Sequence, residues 1–291
     1  MDTGYIFTIK SYHTAILNSN YTVEVLKNVG AQQDAIYIIE TKLLHSIGRA
    51  IEDFRLIEHG DRLLVGLSGG KDSWTMLYLL DALRKKAPIN FSIKVVTIHP
   101  GFPEFNTENI EHRLKQDGFD YLIKKTHIKD IIAEKRKPGT SFCSFCARLR
   151  RGALYTVAQE LNCNKVVLGH HRDDAIETLL LNQFFSGRIK AMPPRLAADD
   201  GKNIVVRPMI YAEEDKIAVY AGLKQFPILR WFCPITTCGG SERHRAKELL
   251  TELEKKYPGL KSSMTRALSN VIPAHLLDKK LYPALAGEER P

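Results

Sequence analysis

The stretch that decides the fold of this chain is Arg62-Leu63-Leu64-Val65-Gly66-Leu67-Ser68-Gly69-Gly70-Lys71-Asp72-Ser73. Its first half is a short apolar run, which is typical of a buried β-strand. Its second half is rich in glycine and hydroxyl groups, and a helical pattern, WTMLYLLDALRKK, starts directly after it. The stretch therefore predicts a strand, a tight loop and the N-terminus of a helix, in that order.

A loop in this position is suited to binding phosphate. Its two glycines let the backbone approach an anion closely, and the helix N-terminus offers unpaired N–H groups and a positive dipole end. The flanking serines can add hydroxyl donors, Lys71 supplies a positive charge, and Asp72 can act through Mg²⁺. The spacing differs from the Walker A pattern G-x-x-x-x-G-K-[ST]. We interpret residues 68–73 as a phosphate cradle of another kind.

Strand and helix patterns alternate along the chain as far as Pro227. Strands are predicted at 62–67, 91–99, 120–125, 165–169 and 203–208, and helices at 41–57, 74–86, 107–117, 147–161, 173–185 and 213–224. A further helix is predicted at 243–256, beyond Pro227. This alternation predicts an α/β fold, with a parallel twisted sheet and helices on both faces. Ligands on such sheets bind beyond the carboxyl ends of the strands. We predict an N-terminal arm over 1–35, an ATP-binding domain over 36–226, and a C-terminal loop, helix and tail over 227–291.

A second polar segment, Gly169-His170-His171-Arg172-Asp173-Asp174, follows the predicted strand at 165–169 and opens a helix. Two acidic residues suit a helix N-terminus electrostatically, and this explanation is sufficient for Asp174. Histidine, arginine and two aspartates packed together at the end of a strand also indicate a functional site. We therefore predict that this segment supplies a second part of the site.

The chain has five cysteines: Cys143, Cys146, Cys163, Cys233 and Cys238. An odd number in a chain of this length does not indicate a disulfide framework. The C-x-x-C pair at 143–146 leaves three interpretations open. The first is structural zinc held by four of the cysteines, the second is persulfide transfer through Cys143 or Cys146, and the third is an iron–sulfur cluster. Cys163 is interpreted as a buried or incidental thiol.

The charge balance favours a polyanionic partner. The formal net charge is +9 and the isoelectric point about 9.2, which suits RNA because phosphate neutralisation dominates nucleic-acid affinity. Three arginines, Arg148, Arg150 and Arg151, follow the C-x-x-C pair, and we take Arg150 as the best candidate for a role in the site. Aromatic and basic residues are mixed over 184–195, as in surfaces that stack on bases. Because no apolar run reaches membrane-spanning length and the N-terminus has no signal pattern, we expect a cytoplasmic protein.

The motifs together resemble a known family. SGGKDS at 68–73 matches the SGGxDS signature of the PP-loop ATP pyrophosphatases, whose fold is like that of the adenine nucleotide alpha hydrolases. GHHRDD at 169–174 is similar to the second signature of their tRNA-modifying members. With CSFCARLRRG at 143–152, Met-Pro-Pro at 192–194 and Cys-Gly at 238–239, the order resembles the tRNA 2-thiocytidine synthetase (TtcA) family over about residues 36–280.

The resemblance implies an ATP-dependent tRNA sulfurtransferase. Such an enzyme adenylates the oxygen of a cytidine, expected at position 32 of tRNA, and sulfur then displaces AMP to give 2-thiocytidine. It implies ATP, Mg²⁺ and a [4Fe-4S] cluster with one open iron as cofactors. It also implies tRNA, a sulfur donor fed by a cysteine desulfurase, and a second copy of the chain as partners.

The resemblance also assigns site residues. The ATP-binding residues are Ser68, Gly69, Gly70, Lys71, Asp72, Ser73, His99, Gly169 and His170. The catalytic residues are Asp173, Arg150 and Lys71. The cluster ligands are Cys143, Cys146 and Cys238; since the Cys233–Cys238 spacing is two residues longer than the usual C-x-x-C of the family, Cys233 is the alternative third ligand.

Two other classes of function remain open on the sequence alone. One is another PP-loop enzyme, a 2-thiouridine or lysidine synthetase. Thiouridine enzymes usually carry terminal zinc-finger cysteines, and lysidine synthetase needs no cluster cysteines. The other class is a zinc-bound RNA-binding protein without catalytic activity, against which the intact loop at 68–73 counts.

Overall fold

The structure is a computed structural model that describes residues 29–136, 142–198, 201–229 and 242–278. The described residues form two compact units. The larger unit contains the residues up to Ala175 and those from Pro193 to 229, and the smaller unit contains Ile176–Met192 and the residues from 242 onward.

A six-stranded sheet forms the centre of the larger unit. Its strands are β1 (Arg62–Gly66), β2 (Ser92–His99), β3 (Tyr121–Lys125), β4 (Lys165–Val167), β5 (Arg195–Ala197) and β6 (Ile204–Val206). They lie in the order β3-β2-β1-β4-β6-β5, and all pairs are parallel except that of β5 with β6. The predicted α/β fold with a parallel sheet is confirmed, apart from this short antiparallel edge strand.

Seven helices of the described residues precede, connect or follow these strands, and the sixth of them continues into the smaller unit. They are α1 (Val29–Phe54), α2 (Lys71–Lys86), α3 (Glu108–Gln116), α4 (Ile128–Lys135), α5 (Phe142–Glu160), α6 (Arg172–Ser186) and α7 (Glu214–Leu223). The chain moves from β1 to β3 in one direction across the sheet and then returns to β4 on the other side of β1. Because such crossovers are right-handed, α2 and α3 cover one face of the sheet, and α4 and α5 cover the other.

The core follows from strands that are buried on both faces. On the face that α5 covers, Leu64, Val96 and Val166 pack with Val157 and Ala158 of the helix. Their neighbours along the strands, Leu63, Val65, Val95 and Val167, are also buried and point to the opposite face, since side chains alternate along a strand. Continuous apolar runs such as LLV and VVL are the sequence signature of strands in this position.

The smaller unit is built from the last part of α6, from α8 (Glu242–Lys256) and from α9 (Leu260–Ala267). A 3₁₀ turn follows at Pro273–His275. Its core contains Ile176, Leu180 and Leu250, with Met264 packed against them. Within the described residues of both units, no helix combines the length and the apolar character that crossing a membrane needs.

Several elements differ from their predicted bounds. Helix α1 begins at Val29, so that residues 29–35, predicted as part of an arm, form its first two turns, and residues 1–28 lie outside the described part. Helix α5 begins at Phe142 and not at 147. Helices α4 and α9 and strand β5 were not predicted, because each is short. The domain boundaries at 36 and 226 stay a prediction.

Candidate active site

The phosphate cradle lies where β1 ends and α2 begins, at the carboxyl edge of the sheet. Helix α2 starts at Lys71, with Gly70 as its N-cap residue in an extended conformation. Gly69 has a φ of +83°, and a Cβ atom there would lie 2.8 Å from Cβ of Leu229. The left-handed backbone and the close contact both require glycine. The N–H of Leu229 donates to the Gly69 carbonyl (2.9 Å), which ties the loop to the segment that follows α7.

The two serines of the cradle shape the loop. Ser73 Oγ donates to the carbonyl oxygen of Gly70 (3.0 Å) and accepts the N–H of Ser68 (3.2 Å). The N–H of Gly70 donates to Ser68 Oγ (3.3 Å), and the two hydroxyl oxygens lie 3.1 Å apart. These bonds hold the loop in its turn. The predicted role of both hydroxyls toward ATP stays a prediction.

Lys71 lies between two carboxylates. Its Nζ atom is 2.7 Å from Asp72 Oδ1 and 3.0 Å from Glu214 Oε1 at the start of α7. Burial alone would lower the pKa of Lys71, but the two carboxylates outweigh burial and raise it. The ammonium group is therefore fully charged at neutral pH and stands at the N-terminus of α2, where an anion is favoured.

Gly169 brings the second polar segment against the cradle. It follows β4, which pairs with β1 in parallel. A Cβ atom at this position would lie 3.1 Å from both N and Cα of Ser73, so the two chain segments are in van der Waals contact. A side chain at this position would force the backbone of Ser73 to shift by a few tenths of an ångström. The two motifs found in the sequence are therefore adjacent in the structure.

His171 is the residue of this segment that faces the cradle. It is buried, and its Nε2 atom lies 3.7 Å from Asp72 Oδ1 and 3.4 Å from Asp174 Oδ2. The N–H of His171 donates to the same oxygen of Asp174 (3.0 Å). The sequence analysis named His170 and not His171. No pattern in the sequence distinguishes these two adjacent histidines.

Asp173 is 3% exposed and binds the N-terminus of α7. Its Oδ2 atom accepts the N–H of Glu214 (3.1 Å) and lies 3.7 Å from Nε of Arg172. Since Glu214 also contacts Lys71, the first turn of α7 connects the cradle with the second segment. The sequence analysis did not assign Glu214, which lies 143 residues from Lys71.

His170 contacts Arg207, a second residue that the sequence analysis did not assign. Arg207 follows β6 and is buried. Its Nε atom donates to Nδ1 of His170 (3.3 Å), and Nη1 donates to the carbonyl oxygen of Pro193 (2.7 Å). Burial lowers the pKa of Arg207 from its usual high value. Arg207 thus connects the predicted Met-Pro-Pro motif with the second segment.

His99 ends β2 at the carboxyl edge of the sheet. Its Nδ1 atom accepts the N–H of Gly101 (3.1 Å), and its ring packs edge to face against Phe105, with centroids 5.3 Å apart. The guanidinium of Arg150 lies 5.7 Å from the centroid of the same Phe105 ring. Phe105 therefore contacts two predicted site residues. Their roles toward ATP and in catalysis stay predictions.

The C-x-x-C pair occupies the start of α5, where Cys143 is exposed and Cys146 is buried. Residues 143, 146 and 150 are three and four positions apart, so they share one face of the helix. Helix α5 ends at Glu160, and β4 begins at Lys165 at the amino edge of the sheet. The start of α5 therefore lies at the carboxyl edge. Cys146 packs there with Phe102 and Phe105.

The cysteines fit a cluster in part. Two thiols one helical turn apart, one open to solvent and one in an apolar cluster, are suitable donors for an iron–sulfur cluster. Cys233 and Cys238 lie outside the described residues, and within the described ranges no group of three or more His, Cys, Asp or Glu residues has the geometry of a metal site. Cys163 is half-buried, and burial raises the pKa of its thiol; the interpretation as a buried or incidental thiol stays a prediction.

The chain is similar to known proteins over most of its length. It matches the PP-loop domain over residues 39–232. It is 51% identical over 240 residues to a protein from Geobacter metallireducens named tRNA-cytidine(32) 2-sulfurtransferase, covering 82% of this chain and 93% of the relative. A protein of the same name from Geobacter sulfurreducens is 50% identical with the same coverage.

A solved structure has the same fold. It is the U34-tRNA thiolase NcsA from Methanococcus maripaludis with its [4Fe-4S] cluster, with a TM-score of 0.63 and 24% sequence identity. The match covers 83% of this chain and 81% of that chain. At this identity the likeness concerns the fold.

Proposed function

The chain belongs to the tRNA-cytidine(32) 2-sulfurtransferase family, and we propose that it replaces the C2 oxygen of cytidine 32 in tRNA with sulfur, at the expense of ATP. The observation that carries this proposal is the contact of Gly169 with Ser73. It joins the phosphate cradle and the second motif at one edge of the sheet. The C-x-x-C pair on α5 lies at the same edge, so that one site can activate the base and deliver sulfur to it.

ATP binds with its phosphates at the N-terminus of α2. The N–H groups there and the Lys71 ammonium neutralise the phosphate charge. The Asp72 carboxylate is partly exposed and contacts Lys71 and His171. It is a suitable ligand for Mg²⁺, because this ion prefers oxygen ligands such as carboxylates. Asp173, the proposed catalytic carboxylate, also holds the first turn of α7, and with it Glu214, against Lys71.

Activation is needed because the C2 oxygen of cytidine is a poor leaving group. This oxygen attacks the α-phosphorus of ATP, the bond to pyrophosphate breaks, and an adenylated base forms. A sulfur nucleophile then adds at C2 and AMP departs with the oxygen. Lys71 and the N–H groups of α2 stabilise the charge that develops on the phosphates. Bringing the base out of its stack costs roughly a few kcal/mol.

The cluster ligands are Cys143 and Cys146 of α5, together with Cys238 or, as the alternative, Cys233. When bound, a [4Fe-4S] cluster with three protein ligands supplies an iron with an open position for sulfide. Arg150, one helical turn after Cys146, adds a positive charge on the same face of α5. Phe102 and Phe105 exclude water from the buried side of the pair.

The same proposal covers the partners and the location. The net charge of +9 supports binding of tRNA. We propose that sulfur comes from a donor loaded by a cysteine desulfurase, that the active species is a homodimer, and that the protein is cytoplasmic. Family membership favours thiolation of cytidine over thiouridine or lysidine formation.

The test of this function is anaerobic purification followed by assays of iron, sulfide and zinc. The nucleosides of tRNA from a strain that lacks the protein are then analysed by mass spectrometry, before and after incubation with the purified enzyme, ATP, Mg²⁺ and sulfide. We expect iron and sulfide in the protein, no 2-thiocytidine before incubation, and its appearance afterwards. The proposal is contradicted if the strain that lacks the protein has as much 2-thiocytidine in its tRNA as the parent strain. It is also contradicted if the purified protein is colourless, contains zinc and does not turn over ATP.

A further inference from the structure

The end of α6, in the smaller unit, carries two exposed aromatic rings. Phe184 is 58% and Phe185 62% exposed, and Ile189 in the following turn is 67% exposed. The two rings are arranged edge to face, with centroids 6.4 Å apart. Apolar side chains exposed next to one another in this way often mark an interaction site.

The turn that follows these rings is held in a defined conformation. Gly187 has a φ of +58°, so the helix ends at a glycine in the left-handed conformation, and the N–H of Arg188 donates to the carbonyl oxygen of Asn182 (3.1 Å). The Asn182 side chain donates to the carbonyl oxygens of Thr178 (2.9 Å) and Lys190 (2.8 Å). The positions of both basic residues relative to the rings are therefore fixed through their backbone.

We propose that Phe184, Phe185, Arg188 and Lys190 form a docking surface for unpaired nucleotides of the tRNA, and we call it the α6 platform. This inference rests on the proposed function. Exposed aromatic rings stack on unpaired bases of any sequence, and the neighbouring cations neutralise the phosphates. The segment 178–192 contains these two cations and no acidic residue, which suits a polyanion better than a protein of mixed charge.

A second copy of the chain fits the platform less well. Two phenylalanines and an isoleucine exposed to this degree offer roughly 300–400 Å² of apolar surface. A stable dimer buries about 800 Å² on each partner. In a two-fold symmetric dimer this surface would contact the same surface of the second copy. Arg188 and Lys190 would then lie close to the same two cations of that copy. RNA, in contrast, needs only a few stacked bases and phosphates.

The fold of the smaller unit does not depend on these rings. The hydrophobic cluster of its described residues is formed by Ile176, Leu180, Leu250 and Met264. Replacing the exposed rings therefore leaves this cluster intact, and the variants needed for a test are expected to fold.

The first test is the double variant Phe184→Ala/Phe185→Ala in the full-length holoenzyme. Loss of base stacking is expected to raise the Kd for unmodified tRNA about 10- to 100-fold at fixed salt. In the thiolation assay the KM for tRNA rises, while kcat at saturating tRNA and the Kd for ATP stay within about 2-fold. The control is Tyr37→Ala, which removes a ring that is 70% exposed on α1 and is expected to change none of these values.

The second test is Arg188→Ala/Lys190→Ala. The slope of log Kd against log salt concentration for tRNA is expected to become shallower by about 1 to 2. Lys86→Ala/Lys115→Ala, which removes the same charge from α2 and α3, is the matched control and should leave this slope unchanged within error.

The outcomes separate this inference from the proposed function. If wild-type enzyme binds and thiolates tRNA and the platform variants do so equally well, the α6 platform is not a docking surface for tRNA, and the proposed function is unaffected. If the Phe variant keeps its tRNA affinity but sediments as a monomer where wild type is a dimer, the surface belongs to a second copy. If wild-type enzyme does not bind tRNA, both proposals are wrong.

Discussion

At the scale of single residues, the site depends on how closely Gly169 approaches Ser73. The two segments follow neighbouring parallel strands, and a side chain at position 169 would have to displace the backbone of Ser73. The backbone of Ser73 cannot move without moving the N-terminus of α2, whose N–H groups we assign to the phosphates. The contact with Gly169 thus fixes the position of the N–H groups that form the cradle.

We predict that Gly169→Ala weakens ATP binding. The added Cβ atom would lie 3.1 Å from backbone atoms of Ser73, and overpacking of this kind costs about 1–3 kcal/mol. The Kd for ATP, measured by calorimetry, is expected to rise about 10-fold, which corresponds to about 1.4 kcal/mol. Gly152→Ala in α5 is the control, since nothing lies within 4 Å of its added Cβ. Wild-type affinity in Gly169→Ala contradicts the prediction.

The sequence identified both polar motifs but not the residues that join them. Ser68–Ser73 and Gly169–Asp174 are recognisable because glycine, charge and strand ends coincide within a few positions. Glu214 and Arg207 have no such local pattern, and they enter the site only because α7 and β6 pack beside β4 and α2. His171 was overlooked because the sequence does not show which of two adjacent histidines points inward.

We predict that His171 supports the binding of Mg·ATP through its Nε2 atom. His171→Ala removes the group that lies between Asp72 and Asp174, so mutual repulsion of these carboxylates increases and the Kd for Mg·ATP is expected to rise about 10-fold, or about 1.4 kcal/mol. His171→Gln places an amide nitrogen near the position of Nε2 and is expected to stay within about 3-fold of wild type. Equal losses in both variants, measured by calorimetry, would mean that only the packing of the ring matters.

At the scale of elements, the two edges of the sheet differ in the groups that they hold. The carboxyl edge carries the candidate site, whereas the amino edge is held by a buried charge network. Lys165, the first residue of β4, donates to Asp61 (2.7 Å) and to Glu58 (2.9 Å), and Asn164 donates to Asp61 (2.7 Å). Burial would raise the pKa of Asp61, but the hydrogen bonds from Lys165, Asn164 and the Glu58 N–H outweigh it and lower the pKa.

We predict that Asp61→Asn lowers stability in a pH-dependent way. Since the folded pKa of Asp61 lies below the unfolded value of about 3.9, its contribution is fully present above pH 4 to 5 and is lost as the pH falls through the folded pKa. Urea unfolding at pH 7 is expected to show a loss of about 3 kcal/mol, because Lys165 remains buried with a weakened partner set. The difference from wild type should shrink toward pH 3.

The control for this prediction is Asp34→Asn on the exposed side of α1, which should not change the pH dependence. ATP binding by Asp61→Asn at neutral pH should equal that of wild type, because the network lies at the opposite edge from the site. A loss of stability that is independent of pH contradicts the assignment.

Helix α5 shows why some element boundaries could not be predicted. Phe142 and Cys146 are buried at helical spacing, but cysteines with metal-ligand spacing are also common in loops. The sequence therefore did not decide between a loop followed by a helix at 147 and a single longer helix. The packing of Phe142 and Cys146 against Phe102 and Phe105 favours the longer helix, and these contacts involve residues about 40 positions away.

At the scale of the whole molecule, the sequence predicted the fold class and the PP-loop family correctly. Five apolar strands alternate with helices, and right-handed crossovers then allow few topologies. It did not predict that residues 176–192 group with the residues from 242 onward, since this grouping depends on contacts of α6 with α8 and α9 and not on a linker that composition reveals.

The central claim is that the phosphate cradle and the α5 cysteines serve one reaction with separable tasks. The measurement that tests it most directly compares wild type, Cys143→Ala and the control Cys163→Ala, purified anaerobically, for ATP affinity, iron content and 2-thiocytidine formed in tRNA. We predict that Cys143→Ala loses iron and all thiolation while its Kd for ATP stays within about 2-fold, and that Cys163→Ala keeps all three. Equal loss of ATP binding in Cys143→Ala, or full iron and thiolation in that variant, would contradict the account.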